Sequence, residues 1–199
     1  MTYYRLVSPD LGENIHMKRA SHSDFHDTAG QFVKSNDIEP PFLVDMHAGE
    51  DSGYDQFDID FVGEAEQVPV SERLKDFYTT APLMSSALIQ TLLDAGVDNL
   101  QLFPVVVRDA ATGAVLEKQY QFFNIVGLIS CANIEASEHA PIGSTFYFHD
   151  LVIDETKANG ALMFRLAESP FEIIVAEQVA KAINNGGFKG ITAEPLEAL

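Results

Sequence analysis

Positive charge is scarce in this sequence. Twelve Lys and Arg stand against 30 Asp and Glu, a formal net charge of −18 with histidines neutral. Such a field repels phosphate backbones and anionic lipid, so neither nucleic acid nor a membrane is expected as a partner. It would instead draw in a basic protein and raise its association rate at low salt; plain solubility of the folded chain is the simpler reading of the same charge. Cysteine is nearly absent. Cys131 stands alone, so no intramolecular disulfide can form and a reducing compartment is expected. Its neighbours Val126, Leu128 and Ile129 are apolar, which points to a buried structural thiol and not to a nucleophile. Long apolar runs are also missing: none approaches the length of a membrane span. The first ten residues lack the basic flank and apolar stretch of a signal peptide, and a cytoplasmic protein is expected.

Apolar residues are nonetheless plentiful. They make up 46% of the 199 residues, with 14 Phe among them, enough to offset chain entropy and produce a folded protein. The length suits a single α+β domain over residues 1–199, with an irregular acidic part at 1–66 and a core scaffold at 67–199. In the first part, residues 3–7 and 42–44 read as short strands. Residues 57–62 alternate, with Phe57, Ile59 and Phe61 facing inward and Asp58 and Asp60 facing water.

In the second part, Leu74, Phe77 and Tyr78 after a cap at Ser71 predict a helix over 71–78. Met84, Leu88, Leu92 and Ala95, with Pro82 in the first turn and Gly96 at the end, predict another over 82–95. Residues 99–107 and 118–126, joined through a turn at 109–113, read as an antiparallel hairpin. Pro104 argues for an edge position, a bulge or two short strands there, and against a central strand. A strand at 171–175, a helix at 176–184, a stop at Gly186 and Gly187, and a strand at 188–192 close the chain. The strand–helix–strand grammar appears twice, which shared turn chemistry or a faint duplication would explain. The expected fold is a mixed, largely antiparallel sheet with about three helices packed against it.

Several stretches between about residue 120 and residue 196 carry a family resemblance. They are Tyr120-Gln-Phe-Phe-Asn-Ile-Val, Ser130-Cys-Ala-Asn-Ile-Glu-Ala-Ser, Leu151-Val-Ile-Asp-Glu, Leu162-Met-Phe-Arg-Leu-Ala, Ile174-Val-Ala-Glu-Gln-Val and Gly187-Phe-Lys-Gly-Ile-Thr-Ala-Glu-Pro-Leu. In order and spacing this part resembles immunity family eleven of bacterial polymorphic toxin systems. The family often shows an acidic residue near the position that Ala132 and Asn133 occupy here, and this sequence departs from it there. The resemblance implies an α+β fold and a role in neutralising a cognate toxin by occlusion inside the producing cell.

Residues 45–66 hold eight acidic side chains, Asp45, Glu50, Asp51, Asp55, Asp58, Asp60, Glu64 and Glu66, and no Lys or Arg. With Tyr54 and Phe57 as aromatic anchors, this strip is the expected partner-binding site, filling a groove on a basic toxin that otherwise takes phosphates. A solvated face is the bland reading of the same residues. The competing proposal is a metal-dependent hydrolase. His22 and His26 stand at helical i, i+4 spacing, with His16, Asp24 and Asp27 nearby, but no Glu follows His22 as in a zincin helix. Asp55, Asp58 and Asp60 do not fit the calcium loop of an EF-hand. His139, Ser144, His149 and Asp150 surround an aromatic strand and read more simply as strand-end polar residues than as an acid–base set. Arg165, between Phe164 and Leu166, reads as a structural ion-pair partner. No nucleophile elbow or phosphate loop occurs, so neither an enzyme nor a cofactor or metal is expected. A homodimer through an exposed strand edge near Pro104 is open, although proline there would equally prevent pairing.

Overall fold

The computed structural model describes residues 2–8, 15–19, 41–48, 70–79 and 82–198. Within them the strands are β1 (Tyr3–Val7), β2 (Ile15–Arg19), β3 (Phe42–Ala48), β4 (Phe77–Tyr78), β5 (Leu83–Ser85), β6 (Leu100–Asp109), β7 (Tyr120–Ile125), β8 (Leu128–Ile129), β9 (Glu138–Ile142), β10 (Thr145–Asp150), β11 (Val152–Ile153), β12 (Met163–Leu166), β13 (Ser169–Ala176), β14 (Thr192–Pro195) and β15 (Glu197–Ala198). The helices are α1 (Ser86–Asp94), the single turn α2 (Glu155–Ala158) and α3 (Glu177–Asn185). One sheet runs β14-β1-β13-β12-β8, and another runs β2-β3-β6-β7-β5-β4. Two small pairs, β10-β9 and β11-β15, complete the set among the described residues. Pairing is antiparallel except for β3 with β6, β8 with β12 and β11 with β15, so the architecture is the α+β, largely antiparallel one expected.

Residues 173–176 are continuously apolar because β13 is covered on both faces. Ile173 and Val175 join Leu6, Met163 and Ala193 against Leu88 and Leu92 of α1 and Val179 and Ile183 of α3. Ile174 and Ala176 join Tyr3, Phe164 and Leu166 against Cys131, Phe148, Leu151 and Ile153. The six-stranded sheet divides its side chains in the same way. Phe77, Met84, Phe123 and Ile125 enter the core that holds the two helices, whereas Tyr78, Leu83, Phe122, Phe42 and Val44 form a core on the other face.

Alternation explains why residues 71–78 do not form the helix that their spacing suggests. Only Val70–Glu72 makes a 3-10 turn. Phe77 and Tyr78, adjacent in sequence and both buried, serve opposite cores, which a strand permits and a helix does not. The backbone N–H of Asp76 donates to the carbonyl of Lys189 at 2.7 Å, a long-range bond that holds the segment extended.

The helix predicted over 82–95 begins later, because Leu83–Ser85 is used as β5. Ser85 caps it: the Leu88 N–H donates to Ser85 Oγ at 3.2 Å. Its end follows the expectation. Gly96, at φ +94°, donates to the carbonyl of Leu93, and Val97 donates to that of Leu92. This closes the helix with a left-handed residue that favours glycine. A Cβ at Gly96 would also come within 3.1 Å of Leu162. Gln178 of α3 donates its side-chain amide to the carbonyl of Ala95 at 2.9 Å, tying the two helices together.

Pro104 lies in β6, between β3 and β7 in the sheet order, which overturns the expectation against a central strand. The reason is a change of partner. Leu100 to Pro104 pair with β7, and Val105 to Asp109 pair with β3, so the missing N–H falls where one ladder gives way to the other. The strand expected at 188–192 is displaced to Thr192–Pro195, because residues 189–190 form a turn. Gly190 there has φ +76° and sits so close to Lys75 that a Cβ would meet its side chain at 2.8 Å.

Candidate partner-binding surface

Of the expected acidic strip, Asp45 is the member within the described residues. Glu50, Asp51, Tyr54, Asp55, Phe57, Asp58, Asp60, Glu64 and Glu66 lie outside them, as do His22, His26, Asp24 and Asp27. Asp45 does not stand free. Parallel pairing of β3 with β6 sets it opposite Arg108, whose Nε and Nη2 donate to its two carboxylate oxygens at 2.8 and 3.0 Å. His16 falls on β2, with His47 as its Cα partner on β3.

The same fate befalls most of the described cations. Arg5 grips Glu172 with Nε at 2.6 Å and Nη2 at 2.5 Å. Lys118 reaches Asp76 at 2.7 Å, Lys181 reaches Glu177 at 2.7 Å, and Lys157 lies 3.7 Å from Asp154. Arg165 is buried, as a structural role requires, and donates Nη1 to the carbonyl of Pro170 at 2.7 Å. Among the described residues, most of the positive charge is thus held in contacts within the chain. Many carboxylates are left to set the surface field.

Asp76 has no functional signal in the sequence, where it falls inside the helix predicted over 71–78. Its buried carboxylate accepts from Ser85 Oγ at 2.6 Å and from the Lys189 N–H at 2.9 Å, besides the Lys118 ammonium. Burial pushes its pKa up, but the bonds from Lys118, Ser85 and Lys189 together outweigh burial and hold it below the usual carboxylate value. Lys118 reaches it because the chain bulges. Six steps separate Val115 from Gln121, opposite the four from Pro104 to Arg108. The bulge opens a cleft of about 620 Å³ lined by Val105, Val106, Val115, Leu116, Lys118 and Tyr120, among others. Burial holds the Tyr120 phenol far above its ordinary range, and its O–H donates to the carbonyl of Lys75 at 2.6 Å. Lys118 and Tyr120 in this cleft are thus both engaged within the chain.

Cys131 is fully buried, and desolvation pushes its thiol up to about 12, so it is not a thiolate at neutral pH. The polar residues around 139–150 do not converge either. The ring of His139 packs on Phe146 and Phe148 at 5.0 and 6.0 Å, that of His149 packs on Tyr147 at 4.9 Å, and Ser144 lies exposed in the hairpin turn. Phe148 is buried and Tyr147 is 49% exposed, so strand alternation sends the two imidazoles to opposite faces. Among the described residues no three His, Cys, Asp or Glu side chains gather as a metal site would need. None of the described helices is long and apolar enough to cross a membrane.

No curated protein matches the chain. The family model of the Immunity protein family (Imm11) matches residues 4–197, extending well N-terminal of the landmarks at 120–196, and the chain belongs to that family.

Proposed function

We propose that this chain binds a cognate bacterial toxin and neutralises it by occlusion, without catalysis, inside the cell that makes both. The observation that carries this reading is family membership across residues 4–197. Charge adds the character of the partner. With −18 overall and Arg5, Arg108, Lys118, Lys157 and Lys181 engaged with carboxylates of the same chain, the surface field favours a basic toxin. The acidic strip from Asp45 to Glu66 is the steering surface in this proposal, with Tyr54 and Phe57 as anchors. Asp45 contributes less than its neighbours in sequence, because Arg108 already neutralises it.

The test is co-expression with the toxin domain encoded beside this chain's gene. Cells are expected to survive, and the two proteins to co-purify as a complex. Loss of viability with no complex would contradict the reading.

A further inference from the structure

The β9–β10 hairpin is a two-stranded sheet with one face packed on the core and the other exposed among the described residues. Its inner face is packed: Phe148 is fully buried, and Phe146 lies against the same core. Its outer face is set by the register. Ile142 lies opposite Thr145, Ala140 opposite Tyr147, and Glu138 opposite Asp150. Ile142 is 59% exposed and Tyr147 49%, so this face presents two large apolar side chains to water side by side. His149, the extra residue of a bulge between Phe148 and Asp150, leans edge-on against Tyr147.

The Glu138–Asp150 pair says what covers this face. Two carboxylates directly opposed across an antiparallel ladder destabilise the pair. Among the described residues neither has a cation within ion-pair distance. In the register they follow the Ala140–Tyr147 pair along the same face, and a guanidinium is the cation that suits carboxylates beside an aromatic ring, since it pairs with the first and stacks on the second. A divalent metal is a poor fit, since no third ligand joins them among the described residues. A second copy of this chain would bring another −18 and the same two carboxylates.

We propose that the outer face of the β9–β10 hairpin is a docking surface for a cationic protein, which places an arginine side chain against Tyr147 and between Glu138 and Asp150. This rests on the toxin-binding reading and deepens it: the acidic strip steers, and the hairpin face anchors. β9 is the free edge of its small sheet, but Pro141 supplies no N–H there to extend the ladder, so contact goes through side chains of the face and not through strand addition.

The experiment follows dissociation of the full chain from the purified toxin domain encoded beside it, by biolayer interferometry. Tyr147→Ala is expected to dissociate faster by on the order of tenfold or more, while Tyr147→Phe, which keeps the ring, stays near wild type. The double variant Glu138→Gln, Asp150→Asn should lose part of the salt dependence of binding. Without toxin, it should melt about 1–3 °C higher, because a repulsion is gone. Wild-type binding with unchanged dissociation in Tyr147→Ala would overturn the docking face and leave the toxin-binding reading standing. No binding by the wild-type chain would overturn both. A lower melting temperature in the double variant would show that the carboxylates are already partnered, and a wild-type dimer abolished by Tyr147→Ala would make the occupant a second copy; either overturns the proposal.

Discussion

Lys118 Nζ lies 2.7 Å from Asp76 Oδ1, joining the bulge before β7 to the segment that enters β4. The contact is more than an ion pair, because the same carboxylate holds the cap of α1 and the turn at Lys189. Three parts of the chain distant in sequence meet on one buried charge. Asp76→Asn keeps the shape but removes the charge, leaving the Lys118 ammonium unpaired. A loss of about 2–3 kcal/mol is expected in chemical denaturation, moderated because Lys118 is partly hydrated.

The same carboxylate gives a pH dependence of definite sign. Its folded pKa is depressed, so its stabilisation is fully present above the unfolded value of about 4 and disappears as pH falls through the lower folded value. Wild type should lose stability in that acid window by a component that Asp76→Asn lacks. Denaturation curves at a series of acidic pH values check it; parallel curves for the two proteins would exclude Asp76 as the source.

Ser85 does two jobs, accepting from the Leu88 N–H and donating to Asp76. Ser85→Ala removes both and should cost about 1–2 kcal/mol, the upper part of the range for a lost cap. Thermal melting of the single variants and of Ser85→Ala with Asp76→Asn measures their coupling, which is expected to be clearly non-additive.

Cys131 should be unreactive in the folded protein. Its thiol is fully buried and its pKa is raised to about 12. Alkylation by iodoacetamide at neutral pH should proceed only as fast as the chain opens, and rapidly in denaturant. Fast native labelling would contradict the packing of the core formed with Phe164 and Ile174.

The elements legible in the sequence were those whose signal is local. The 100–125 hairpin, the helix after residue 176 and the glycine stop at 96 depend on turn chemistry and periodicity within a few residues, and each stands as read. The segment around Phe77 was misread because Leu74, Phe77 and Tyr78 match helical spacing while a distant carbonyl, that of Lys189, decides the backbone. Pro104 was misplaced for a similar reason: its tolerance depends on the strand changing partner there. Asp76 and the bare face at Tyr147 carried no local mark. One is defined by Ser85 nine residues on and by Lys118 and Lys189 much farther along the chain, and the other by its exposure among the described residues. The family was legible from residues 120–196, but its match also takes in the N-terminal part.

The acidic strip acts on the rate of encounter in this account. Replacing Asp55, Asp58 and Asp60 together by Asn should slow association with the toxin at low ionic strength and leave it little changed at high salt, where charges are screened within about 3–8 Å. Stopped-flow mixing at two salt concentrations separates the cases. An unchanged low-salt rate would remove the strip from steering.

Binding itself is the central claim, and isothermal titration of the purified chain into the purified toxin domain encoded beside it tests this most directly. A saturable complex is expected, with an affinity that weakens as salt is raised and with toxin activity abolished at the equivalence point. A titration with no binding heat at any temperature tried, and full toxin activity in its presence, would contradict it.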